Sequence, residues 1–247
     1  IQGAPSYTML LFLHSKRTEL GITYSDVASI VNYLVKFFVR RNTTDTPNTR
    51  NLDKIFLDII EDITNKNGST VIESITTKLA SVSADDTYFE SKLNCQLYIE
   101  NVDLTLFLLY DYEKKFFTKE IYTDLWARNE KGTNYIWTIE HIFPEGENVP
   151  QCWVEMIANG DKNLADEYLE KYTHLIGNLT LTGYNSNLSN LSFMEKMNRK
   201  DKAGKDVGYK NGLSLNKDVA DKTEWHIKDI ETRGSKLIKY FLDEFKL

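Results

Sequence analysis

The apolar side chains Leu52, Ile55, Phe56, Ile59, Ile60 and Ile63 fall at i, i+3, i+4, i+7, i+8 and i+11. A helix returns all of these positions to one side, so the stretch is predicted to be amphipathic with one buried face. A lone helix cannot bury that face, so partners are required. Val27, Val31, Leu34 and Phe38 supply one, on a helix that Ser25 can cap. Residues 42–51, with Pro47, form the polar turn between the two. Ile72, Ile75 and Leu79 mark a further helix. Phe89, Leu93 and Leu97 mark another, with Asp85 or Asp86 as its cap, and Leu104, Phe107 and Leu108 begin the next. Helices joined by short polar turns predict a bundle over residues 1–131. The fold class expected for the whole chain is mainly α with a small β element.

The pattern changes near residue 132. Tyr135 to Ile139 mixes aromatic and β-branched residues and reads as a strand that ends against Glu140 and His141. Residues 163–174 are helical in pattern. Leu175 to Thr182 is a second β-like run, followed by a turn dense in Asn and Ser. Ser192 then opens a short basic helix through Phe193, Met197 and Lys200, and residues 201–212 read as a loop. A closing helix is expected over 224–245, with Trp225, Ile230, Leu237, Ile238 and Phe241 as its apolar residues.

A length of 247 residues suits one large domain or two small ones, and a hydrophobic content of 41% suits a packed core. Cys95 and Cys152 are too few and too far apart for a disulfide framework or a Cys–Cys metal motif, so a reduced, cytoplasmic setting is expected. No apolar run reaches the roughly 18–20 residues of a membrane helix, so no membrane partner is expected. The chain begins at Ile1 rather than Met, which predicts a piece of a longer protein whose N-terminal partner domain lies outside it. The net charge of −6 argues at first against nucleic acid, because phosphate binding usually leaves a basic footprint.

Each of the four histidines can be weighed. His14 reads as a surface or core residue of an apolar N-terminal helix, His226 as structural, and His174 as an electrostatic cap at a helix C-terminus. His141 differs: it follows a strand, with a carboxylate before it and Ile-Phe-Pro after it. The order strand, His141, strand, Asn, helix suits metal-dependent phosphodiester cleavage. A neutral imidazole can take a proton from water. Oxygen ligands from carboxylate and amide groups can hold a hard cation against the scissile phosphate.

Three segments carry a resemblance: Glu140 to Pro144, Ile176 to Ser186, and Leu188 to Asn190 with Phe193 to Lys196. They resemble the C-terminal nuclease region of GmrSD-type modification-dependent restriction endonucleases, a variant HNH or His-Me finger (ββα-metal) domain. Trp225, Ile230, Arg233 and Leu237 resemble that family's closing helix, so the likeness spans residues 135–240. The resemblance implies a ββα-metal nuclease domain with extra helices over 132–247. It implies double-stranded DNA as substrate and one divalent cation, Mg²⁺ or Mn²⁺, as cofactor. It also implies His141 as general base and Asn178 as the residue that positions the histidine or its loop. Glu140 and Asn185 are implied as metal ligands, and Asn185 is counted with the catalytic set. Asn187 stands as close to the helix entry, and the sequence does not choose between the two. Lys196 matches a basic position of the following helix, and Arg199 and Lys200 extend that basic face toward DNA. No Cys/His quartet is present, so no structural zinc is expected. The 37 positions from His141 to Asn178 exceed a compact finger, so an insertion is expected to fold out of the way. The implied partner is an N-terminal nucleotide-hydrolysing, DNA-sensing domain.

Two other readings compete. One is a catalytically inactive helical regulatory module. The other is a DNA-binding module that uses Phe38-Val39-Arg40-Arg41. Local charge reconciles DNA with the acidic total. Residues 193–211 carry six basic against three acidic side chains, and residues 35–54 carry five against two. Local fields, not whole-chain charge, decide phosphate binding.

Overall fold

The computed structural model describes residues 2–247, apart from the side chains of Ser186 and Asn187. The chain divides into two compact units, residues 1–93 with 241–247, and residues 94–240. Residue 131, where a boundary was expected, lies inside the second unit. Among the described residues no helix is long and apolar enough to cross a membrane.

The first unit is helical. It holds α1 (Tyr7–Lys16), α2 (Tyr24–Thr44), α3 (Thr49–Ile63), α4 (Ser69–Val82) and α5 (Asp86–Leu93). Every residue of the predicted stripe except Ile60 is buried, and Ile60 packs partly buried against the same core. That core also takes Met9, Leu34, Phe37, Val71 and Leu79. The cap of α2 is Thr23 rather than Ser25. Its hydroxyl accepts from the Asp26 amide while the Asp26 carboxylate accepts from the Thr23 amide. This reciprocal box satisfies two otherwise orphan donors, and Ser25, two residues on, already lies inside the helix. Asp85 caps α5 by accepting from the Tyr88 amide.

The second unit starts with α6 (Leu97–Glu100) and α7 (Val102–Lys114). Leu97 is thus separated from the helix of Phe89 and Leu93. The unit's sheet is two antiparallel strands, β1 (Thr138–His141) and β2 (Leu179–Thr182), with Glu140 opposite Thr180 and His141 opposite Leu179. β1 starts three residues later than Tyr135–Ile139 suggested and ends two later, with His141 as its last residue.

Between the strands lie α8 (Gln151–Ala158) and α9 (Lys162–Tyr172). The expectation that this insertion folds away is wrong. Trp153, Val154, Ala158 and Ala165 are buried with Phe193, Tyr209 and Trp225 in the core of this unit. The chain then forms α10 (Asn185–Leu188), α11 (Phe193–Met197), α12 (Lys217–Ala220) and α13 (Ile227–Glu244). Ser192 caps α11 in a capping box with Glu195.

Two features fix β2 against α13. A Cβ on Gly177 would stand 2.0 Å from the Ile230 carbonyl, so only glycine permits this approach. The buried Arg233 guanidinium donates to the carbonyls of Gly177, Leu179 and Leu215.

Candidate active site around His141

Successive residues of a strand point to opposite faces, and β1 uses this at its end. Glu140 faces inward, where the Lys196 ammonium donates to its carboxylate at 2.6 Å and to the His141 carbonyl at 2.7 Å. Both side chains are buried. Burial pushes the Glu140 carboxyl up to about 7, against the opposing pull of Lys196. Burial lowers the Lys196 ammonium.

This arrangement bears on two expectations. Lys196 was expected to meet DNA phosphate, but its ammonium is enclosed and its donors hold the end of β1. Glu140 was expected to ligate a metal, but its carboxylate is committed to Lys196 on the face away from the His141 ring. Arg199 and Lys200 are exposed, with Lys200 paired to Asp206 at 2.8 Å.

The His141 imidazole is 6% exposed, and its Nε2 lies 3.1 Å from His174 Nδ1. Its Nδ1 lies 3.5 Å from a carboxylate oxygen of Glu145, whose side chain is 52% exposed. The Tyr98 ring stacks on His174 at 5.4 Å and meets His141 edge-on at 4.7 Å. Burial, reinforced by His174 and Lys196, drives the His141 imidazolium down to about 3. Burial also lowers His174, opposed by Glu145. His141 is therefore neutral at neutral pH, with one ring nitrogen available as acceptor.

His174 is accordingly not merely a helix cap: its ring is the hydrogen-bonding partner of His141. Ligand atoms of His141, Glu145 and His174 all lie within 4.8 Å of one another, so the three can hold one metal ion. Sequence reasoning missed Glu145 and His174. The four-residue step from His141 to Glu145 was readable, but His174 is 33 residues away in the chain and no spacing identified it.

Asn178 is fully buried. Its amide nitrogen donates to the carbonyls of Phe143 and Thr173, and its oxygen accepts from the Phe143 amide and Trp225 Nε1. All of its hydrogen bonds thus go to protein, and they hold the turn after His141 against the entry to β2. Asn185 donates from Nδ2 to the Ile139 carbonyl at 2.6 Å. The Asn187 side chain lies outside the described residues. His226 pairs with Glu224 at 3.0 Å, and His14 is exposed, so neither joins the site.

The basic run at Arg40 and Arg41 does not form a DNA-binding face. Arg40 is buried and bonded to Asp86 and the Ala84 carbonyl. Arg41 is buried among Asn42, Asp45, Pro47 and Thr49.

Residues 41–240 match the family model described as GmrSD restriction endonucleases, C-terminal domain. No curated protein and no solved structure matches the chain.

Proposed function

The chain belongs to the GmrSD restriction endonuclease C-terminal domain family, and from that premise we propose that it is a divalent-metal-dependent DNA endonuclease module cutting modified or foreign DNA. The observation that carries this reading is the buried His141 imidazole at the end of β1, in contact with His174 and Glu145 as part of a cluster able to hold metal. β1, β2 and the helical segment entered at Asn185 follow the order of a ββα-metal, HNH-like finger.

In this reading His141 is the general base. The tautomer with the hydrogen on Nε2 donates to His174 Nδ1 and frees Nδ1 to take a proton from water. His174 and the Tyr98 ring fix the imidazole plane. Asn178 holds the turn beyond it, and Lys196 holds the strand end from behind. The Glu145 carboxylate and the Asn185 amide oxygen are the oxygen donors for Mg²⁺ or Mn²⁺, in place of Glu140. Such a cation supplies charge stabilisation at the scissile phosphate and the departing oxygen. Exposed Arg199, Lys200, Lys202, Lys205 and Lys210 offer phosphate contacts that position the duplex. An N-terminal nucleotide-hydrolysing, DNA-sensing domain is the proposed partner that supplies specificity.

The test is plasmid cleavage with Mg²⁺ or Mn²⁺, carried out on this chain and on a longer chain that carries the sensing domain. Replacing His141 with Ala should slow cleavage by about 10²–10⁴-fold, the usual worth of a positioned base. Equal rates would discard His141 as the base. The commitment of Glu140 to Lys196 favours a second reading, an inactive regulatory module. Absence of cleavage by either chain would select it.

A further inference from the structure

We propose that His141, His174 and Glu145 form a binding site for a zinc-class transition ion, and that such an ion, by taking the His141 lone pair, switches the nuclease off. The binding claim stands on the cluster itself, while the inhibitory consequence rests on the proposed role of His141.

The donor set argues for the class of ion. Two imidazoles and one carboxylate suit Zn²⁺, Co²⁺ or Ni²⁺, whereas Mg²⁺ prefers oxygen ligands throughout. The geometry is already assembled. His141 Nε2 and His174 Nδ1 approach to 3.1 Å, and all three ligand atoms lie within 4.8 Å of one another. Two nitrogens about 2.1 Å from one tetrahedral zinc ion are about 3.4 Å apart, close to the distance seen, so the ion would sit off the line between them after both rings turn toward it. The rings are held in place before any ion binds: Tyr98 is parallel to His174 within 2° and perpendicular to His141 within a few degrees, at 87°. Three protein ligands leave a fourth position open, as in zinc sites that exchange water. Glu145, half exposed, gives the ion a path from solvent.

The ion and the base function are mutually exclusive. A lone pair on Nε2 that ligates a cation removes the Nε2–H bond to His174. The ring must then carry its hydrogen on Nδ1, the nitrogen required to accept a proton from water. Zinc therefore competes with catalysis without any change of fold.

The experiment titrates the full chain, stripped with chelator, with Zn²⁺ in a calorimeter and with Co²⁺ by visible absorption. One ion should bind per chain, with the visible bands of a low-coordinate cobalt site. Glu145→Gln and His174→Asn should each weaken binding at least tenfold, and Glu145→Gln, at an exposed position, keeps the fold as a check on the half-buried His174 variant. Failure of Zn²⁺ and Co²⁺ to bind, or undiminished binding in both variants, would overturn the site whatever the cleavage assays show. Stoichiometric Zn²⁺ should abolish Mg²⁺-supported plasmid cleavage by wild type, with chelator restoring it. Tight zinc binding with undiminished cleavage would overturn the switch and leave the site.

Discussion

The two units bury polar groups by different means. In the first, Arg41 finds its partners within eight residues of itself, from Asn42 to Thr49. Thr43 and Thr44 bond one helical turn back, to the carbonyls of Val39 and Arg40. Arg40, bonded to Ala84 and Asp86, is the long-range case. In the second unit long-range pairing prevails. Lys196 reaches Glu140 across 56 residues, and Glu113 accepts from the amides of Ser214 and Leu215, 101 and 102 residues on. Asn178 joins Phe143 across 35 residues. An apolar core tolerates exchange among side chains of equal volume, whereas a core of distant polar pairs fails when one member is lost.

The largest expected effect tests that contrast. Lys196→Met keeps the side-chain volume but leaves Glu140 buried without its cation, at a cost of about 3–5 kcal/mol. The double variant Lys196→Met with Glu140→Leu should recover most of that loss. Urea unfolding measures both, and a single variant as stable as wild type would remove the distinction between the units.

An effect of similar size comes from acid. The folded-state pKa of His141 lies at about 3, below its unfolded value of 6.5. The unfolded chain therefore binds more protons between these values, and stability falls as pH drops from 6.5 to 3. Glu140 has the opposite sign. Held up at about 7 against 4.5, it contributes stability that is full below pH 4.5 and lost as pH rises through 7. The two slopes oppose one another from pH 4.5 to 6.5, and His141 acts alone of the pair below 4.5. In chelator, the His141→Asn variant should lose less stability than wild type between pH 4.5 and 3. Parallel curves would show that His141 titrates normally.

The smallest effect belongs to the first unit. Leu79 is fully buried in an apolar cluster, so Leu79→Met should cost less than about 1.5 kcal/mol by the same unfolding measurement. A cost as large as that of Lys196→Met would place the two cores in one class.

The legibility of the chain follows the same division. The stripe from Leu52 to Ile63 named its helix and its buried face because both depend on residues a turn apart. His141 and the turn around Asn185 were readable because a short local order of residues carries them. The Trp153 helix was not, since its burial depends on Phe193, Tyr209 and Trp225, which no local pattern connects to it. Glu140 and Lys196 were named, but their pairing with each other was not. A carboxylate and a lysine look alike in sequence whether they meet solvent or each other.

The sequence by itself determined the helices of the first unit, the two short β-like runs and the family to which the chain belongs. Periodicity and short motifs are properties of neighbouring residues and need no folded partner to be read. Tertiary structure alone decided that Lys196 faces inward, that Glu140 is spent on it, and that His174 and Glu145 stand beside His141. Those outcomes turn on which distant side chains reach one another once the insertion packs and the strands pair. Desolvation there sets the charge of each group, and no local pattern carries that information.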